Sequence, residues 1–106
     1  MSSFAFIAHV RAKPGNRQEL MDINIEMMRV THTEPGVPIY AFNTEEANPD
    51  DFWYYDFYES EEAYAAHCQT SEYKNMIAKL TTLADVIYAT RIIPFGPTKS
   101  VPIGSQ

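Results

Sequence analysis

The chain has 106 residues, enough for one domain that buries a core without help from a metal or a disulfide. Hydrophobic residues make up 45%, an ordinary globular share that excludes disorder as a description of the whole. The 8 Lys and Arg against 14 Asp and Glu leave a formal charge of −6 with no basic stripe, which argues against nucleic acid and anionic membrane surfaces as partners.

Phe4 to Arg11 reads as a first strand, with Phe4, Phe6, Ala8 and Val10 on one face and Ile7 and His9 on the other. Its apolar run is too short for a signal peptide, and nothing in the chain approaches the ~20 apolar residues of a membrane helix, so a cytoplasmic location is expected. Lys13-Pro14-Gly15 ends the strand. Asn16, with Glu19 three residues on, is the expected N-cap of a helix that runs to about Thr33. On it Leu20, Ile23, Met27 and Val30 form one apolar stripe, and Met21, Ile25 and Met28 form a second beside it. That arc is wider than one sheet contact requires and leaves surface for a pocket or a partner. Glu34-Pro35-Gly36 stops the helix, because Pro cannot continue it and Gly relaxes the turn. Val37 to Asn43 is a second strand, with Pro38 tolerated near its start, and Asn48-Pro49-Asp50 is the turn that follows.

Phe52 to Tyr58 is a third strand with rings on both faces: Phe52, Tyr54, Asp56 and Tyr58 on one, Trp53, Tyr55 and Phe57 on the other. Ser60 is the expected cap of the next helix, with Glu61 and Glu62 in its first turn. Ala63, Tyr64 and His67 share one side of it, so the imidazole points where the apolar side points. A further helical segment begins near Ser71 with Tyr73, Met76, Ile77 and Leu80 as its buried side, and Asp85 to Ile93 is the fourth strand. The order is β-α-β-β-α-β, a ferredoxin-like α+β fold with a four-stranded antiparallel sheet. One domain covers residues 1–93, and residues 94–106 form an extended tail. Helices cover one sheet face only. The other still carries large side chains, and a second copy of the chain is the simplest cover, so a homodimer is expected.

Two readings stand for each residue that suggests chemistry. His67 is either a general base or hydrogen-bond donor to a substrate oxygen, or a semi-buried histidine satisfied by Asp56 or Glu61. Trp53, Tyr55 and Phe57 either stack on a flat aromatic ligand or serve the core or dimer. Asp56 either orients His67 and takes a proton, or pairs with a structural partner such as Arg91, because an unpaired buried acid is costly. His9 and His32 read as structural, the three histidines lack the spacing of a metal site, and Cys68 reads as a small packed residue without a disulfide partner.

Taken together, KPG after the first strand, EPG closing the first helix, the F-x-Y-x-D-x-Y strand and the A-x-x-A-H-x-x-T-S-x-Y-K helix resemble the antibiotic biosynthesis monooxygenase family over roughly residues 4–93. The Tyr55-Asp56 strand, His67 and the Tyr73-Lys74 pair look most like its quinol-monooxygenase and autoinducer-2-processing members. The resemblance implies a dimeric α+β barrel with a substrate cavity between sheet and helices. It puts forward His67 as the catalytic residue, Trp53, Tyr55, Phe57, Tyr64, Tyr73 and Met27 as substrate contacts, and Asp56 and Arg91 as supporting groups. The haem-degrading relatives are a poor fit. Ile77 stands where they carry the iron-binding histidine, His67 stands where they carry a tryptophan, and their first-strand asparagine is missing. The expected function is therefore a monooxygenase without metal or other cofactor, oxidising a phenolic or quinol-like molecule with O2. The alternatives are an isomerase or enolising enzyme on a small carbonyl compound, and a non-catalytic ligand-binding or stress-response dimer.

Overall fold

The computed structural model describes residues 3–97 and Lys99. Its elements are β1 (Phe4–Ala12), α1 (Arg17–Thr31), β2 (Ile39–Thr44), β3 (Asp51–Tyr58), α2 (Glu61–Gln69), α3 (Ser71–Leu83) and β4 (Ala84–Ile92). They form the expected ferredoxin-like α+β arrangement, with an antiparallel sheet in the order β2-β3-β1-β4. Most of the expected tail, Thr98 and residues 100–106, lies outside the described residues. No helix among those described is long and apolar enough to cross a membrane.

The register fixes which side chains share a face. Phe6 stands opposite Asp56, Ala8 opposite Tyr54 and Val10 opposite Phe52, while Tyr40 and Phe42 of β2 stand opposite Asp56 and Tyr54. This set faces the helices. The other face carries Ile7 opposite Tyr55, His9 opposite Trp53 and Tyr88, and Ala5 opposite Phe57 and Ile92. Between His9 and Val10 the pairing with β4 skips Ile87, a bulge that leaves that residue without a counterpart.

The helices depart from expectation in instructive places. The buried stripe of α1 is Leu20, Asn24, Met27 and Thr31, so two of its four members are polar. Each brings a hydrogen bond into the core: Asn24 Nδ2 donates to the Tyr54 hydroxyl at 2.7 Å, and Thr31 Oγ1 donates to the Met27 carbonyl at 2.8 Å. Ile25, expected beside the core, is 39% exposed. Asn16 occupies the N-cap of α1, yet its side chain makes no cap bond and lies 3.5 Å from the Leu83 carbonyl instead. Ser60 does cap α2, its hydroxyl accepting from the Ala63 N–H at 3.0 Å, and Thr70 caps α3 in the same way. On α3 the buried residues are Met76, Leu80 and Leu83, whereas Ile77 stands at the surface. Strand β2 starts at Ile39 because Val37 N–H is spent on the Glu34 carbonyl and Pro38 has no N–H to give a ladder.

Candidate functional site

His67 is the largest departure from apolar packing on α2: its side chain is fully buried on the helix face turned to the sheet. Its partner comes from the turn that ends α1. Glu34 Oε1 lies 2.7 Å from Nδ1. That turn is pressed against α2 at Gly36, where an added Cβ would sit 2.5 Å from the Ala63 Cβ, and it is tied down by Glu59 N–H donating to the Gly36 carbonyl at 3.0 Å. Gly36 has no positive φ, so glycine is required there for close approach and not for turn geometry.

An ionised carboxylate only accepts, so Glu34 assigns the ring proton to Nδ1 and leaves Nε2 with its lone pair. Nε2 is buried and has no partner among the described residues. The rings of Tyr40, Tyr73 and Tyr58 surround the imidazole, with centroids 5.1, 5.2 and 5.5 Å away.

Above these rings lies a cavity of about 210 Å³ between the helix-facing side of the sheet and the α2–α3 segment. Phe6, Phe42, Tyr54, Met76 and Leu80 make its walls apolar, and Asp56 and His67 are its acid–base members; no Lys or Arg among the described residues lines it. Asp56 Oδ2 accepts the Tyr58 hydroxyl at 2.5 Å. Burial raises the Asp56 carboxyl above the usual range, partly opposed by the Tyr58 hydrogen bond and the nearby His67. Burial also raises the phenols: Tyr54 and Tyr64 to about 12, and Tyr40, Tyr58 and Tyr73 further still, so all five remain neutral donors at any ordinary pH.

The structure brings His67, Asp56, Tyr64 and Tyr73 to this cavity, as the sequence suggested, and separates the others from it. Trp53, Tyr55 and Phe57 lie on the opposite sheet face, because successive strand residues alternate and Asp56 faces the helices. Met27 is buried in the core and does not line the cavity. Arg91 pairs with Glu61 and lies over the Phe4 ring, 3.8 Å from its centroid, so it is not the partner of Asp56. The carboxylate on His67 is Glu34, not Asp56 or Glu61. Sequence reasoning missed Glu34, Tyr40, Phe42, Tyr54 and Tyr58 as site members; the four aromatics share the parity of Asp56 or of its cross-strand partner, a signal that becomes usable once the register is known.

Away from the cavity, His9 stacks on Trp53 at 4.3 Å, and its ring lies with Glu45 and Asp51 so that their ligand atoms fall within 4.8 Å of one another. The carboxylates there are already engaged. Arg11 Nε donates to Asp51 at 2.6 Å and Trp53 Nε1 donates to Glu45 at 2.6 Å. These bonds hold both carboxyls below their usual range. A charge network that stabilises the end of β1 and β3 accounts for the group. His32 sits at the C-cap of α1.

The sequence profile described as antibiotic biosynthesis monooxygenase matches residues 3–79. No curated protein matches the chain in sequence. A structure from Chloroflexus aurantiacus J-10-fl, provisionally described as an antibiotic biosynthesis monooxygenase, is 25% identical with a TM-score of 0.79, covering 97% of this chain and 100% of its own. Rv0793 from Mycobacterium tuberculosis superposes with a TM-score of 0.83 at 23% identity, over 92% of this chain and 100% of its own. A protein of unknown function from Bacteroides thetaiotaomicron VPI-5482 gives 0.80 at 20% identity, over 87% and 97%. The last two likenesses speak for the fold alone.

Proposed function

The chain belongs to the antibiotic biosynthesis monooxygenase family, and from that premise we propose that it oxidises a small quinol-like molecule with O2 in the cavity beside His67, without a bound cofactor. The observation that carries this reading is a base-forming Glu34–His67 pair at a ring-walled void. A void of roughly 150 Å³ takes benzene, so about 210 Å³ is room for one substituted ring. A phosphorylated or acidic carbonyl substrate would need cationic side chains that the cavity lacks.

The base takes the phenolic proton, and the phenolate passes one electron to O2. The resulting substrate radical and superoxide combine into a C–O bond, and the returned proton makes a hydroperoxide. Loss of water then leaves the more oxidised quinone, so each O2 yields one oxygen in product and one in water. Nε2 is buried, and three tyrosine rings stand within 5.5 Å of the imidazole, centroid to centroid. Tyr58 is held by Asp56, so contact with substrate requires Tyr40 or Tyr73 to turn. The open sheet face, with Ile7, Tyr55, Phe57, Tyr88 and Ile92, is proposed to meet the same face of a second copy.

Oxygen uptake with single-ring hydroquinones tests the reading, using metal-free protein and His67→Ala. The expected result is uptake by the parent protein and a loss on the order of 10²-fold or more in the variant. No uptake by either abandons the oxygenase reading, and equal uptake removes His67 from the chemistry.

A further inference from the structure

Two acid–base side chains line the cavity, and they differ in what they offer a ligand. Both ring nitrogens of His67 are withdrawn: Nδ1 is bonded to Glu34, and Nε2 is sealed from solvent. Asp56 is the reverse. Its Oδ2 accepts from Tyr58, while Oδ1 has no protein hydrogen bond among the described residues and is not among the sealed polar atoms. An acid inside a strand normally has a cation beside it. Here the cation that the sequence offered, Arg91, is bound to Glu61, and among the described residues Asp56 has no ion pair with a Lys or Arg; its neighbours are Tyr58 and His67.

We propose that Asp56 is the residue that touches the ligand, taking a ligand hydroxyl at Oδ1 and, by its charge, barring anionic molecules, so that the cavity selects neutral hydroxylated rings over their carboxylated analogues. This inference rests on the cavity being the substrate site, but not on any oxygen step. The raised carboxyl pKa supports it: with its single hydrogen bond from Tyr58, Asp56 is left short of donors, a shortage that an incoming hydroxyl relieves. A carboxylic acid on the same ring would instead put a second negative charge into a low-dielectric space with no Lys or Arg to meet it.

The test is anaerobic calorimetric titration with two probes of similar ring size, hydroquinone and 4-hydroxybenzoate, at pH 6 and pH 8. The parent protein is expected to bind hydroquinone and to bind 4-hydroxybenzoate at least tenfold more weakly at pH 8, with the gap closing at lower pH. Asp56→Asn is expected to lose about five- to tenfold in hydroquinone affinity while its preference between the probes collapses. Tyr58→Phe removes the bond that steadies the carboxylate and is expected to move the onset of exclusion to higher pH. Unchanged discrimination in Asp56→Asn, equal binding of both probes by the parent protein, or no binding of hydroquinone overturns the proposal. Intact discrimination without oxygen uptake instead retires the oxygenase reading and leaves this one standing.

Discussion

Replacing Gly36 by alanine puts a methyl group 2.5 Å from the Ala63 Cβ, where ordinary contact begins at 3.4 Å. The shortfall is about 0.9 Å, and the obstructing atom is a Cβ on a helix, with no flexible end that can swing away. Either the 34–36 turn lifts or α2 recedes. Overpacking of this kind costs about 1–3 kcal/mol. For a domain near this size each kcal/mol lowers Tm by about 4–8 °C, so thermal unfolding followed by circular dichroism resolves it easily. The decisive arm is the double variant. Ala63→Gly alone costs up to about 1 kcal/mol in helix propensity, but it removes the obstruction. Gly36→Ala with Ala63→Gly is therefore expected to match Ala63→Gly alone, giving a coupling as large as the clash. The reasoning fails if Gly36→Ala lies within about 0.5 kcal/mol of the parent protein, or if the two losses simply add. Because Glu34 rides on the same turn, the single variant is also expected to lose oxygen uptake, and the double variant to recover it.

Glu34→Gln keeps the shape but lets His67 adopt either tautomer, so kcat for oxygen uptake is expected to fall on the order of 10²-fold with KM little changed. Asn24→Ala strips the Tyr54 hydroxyl of its buried partner and is expected to cost about 1–3 kcal/mol in urea unfolding. The pH dependence of stability has a definite sign at Asp56. Its folded carboxyl holds a proton more readily than the unfolded one, so its contribution is fully present below the unfolded pKa of 3.8 and is lost as pH rises through the raised folded value. Urea midpoints of Asp56→Asn are therefore expected to gain on the parent protein as pH rises from about 4, and a constant difference would contradict the assignment. On the proposed pairing of two copies through the open sheet face, Tyr55→Lys places a charge in the contact and is expected to lower the mass in light scattering from two chains to one; an unchanged mass would remove that face from any pairing.

The order of elements was legible because β1, α1 and the α2–α3 segment keep their periods, and because Ser60 marks a helix start that the structure uses. His67 was legible for the same reason, since its spacing from Ala63 and Tyr64 carries its direction. Strand β3 defeats the same method. With rings at both parities, alternation says nothing about which set faces the helices, so it cannot choose between a ligand-stacking and a core or dimer role for Trp53, Tyr55 and Phe57. Only the pairing of Phe6 with Asp56 decides it. Glu34 was hidden for a different reason. Its bond to His67 spans 33 residues and exists because Gly36 lets a turn settle on Ala63, a packing event with no local pattern. Asn24 and Thr31 broke the apolar rule for α1 because each brings its own hydrogen bond into the core.

The placement of unsatisfied atoms favours a ligand site over a purely structural core. Four buried side-chain atoms lack partners among the described residues: His9 Nε2, Asn24 Oδ1, Glu34 Oε2 and His67 Nε2. Each such atom, if it stays unpaired, costs on the order of 1–3 kcal/mol against a total stability of about ten. Two of the four belong to the hydrogen-bonded Glu34–His67 pair beside the cavity, and a third sits on the residue that holds the cavity wall at Tyr54. Leucine at position 67 would remove the histidine's unpaired nitrogen, fill part of the void and free Glu34 to reach water. Unpaired polar atoms beside a void are what a ligand's own donors and acceptors would meet, which is why the ligand site is proposed there.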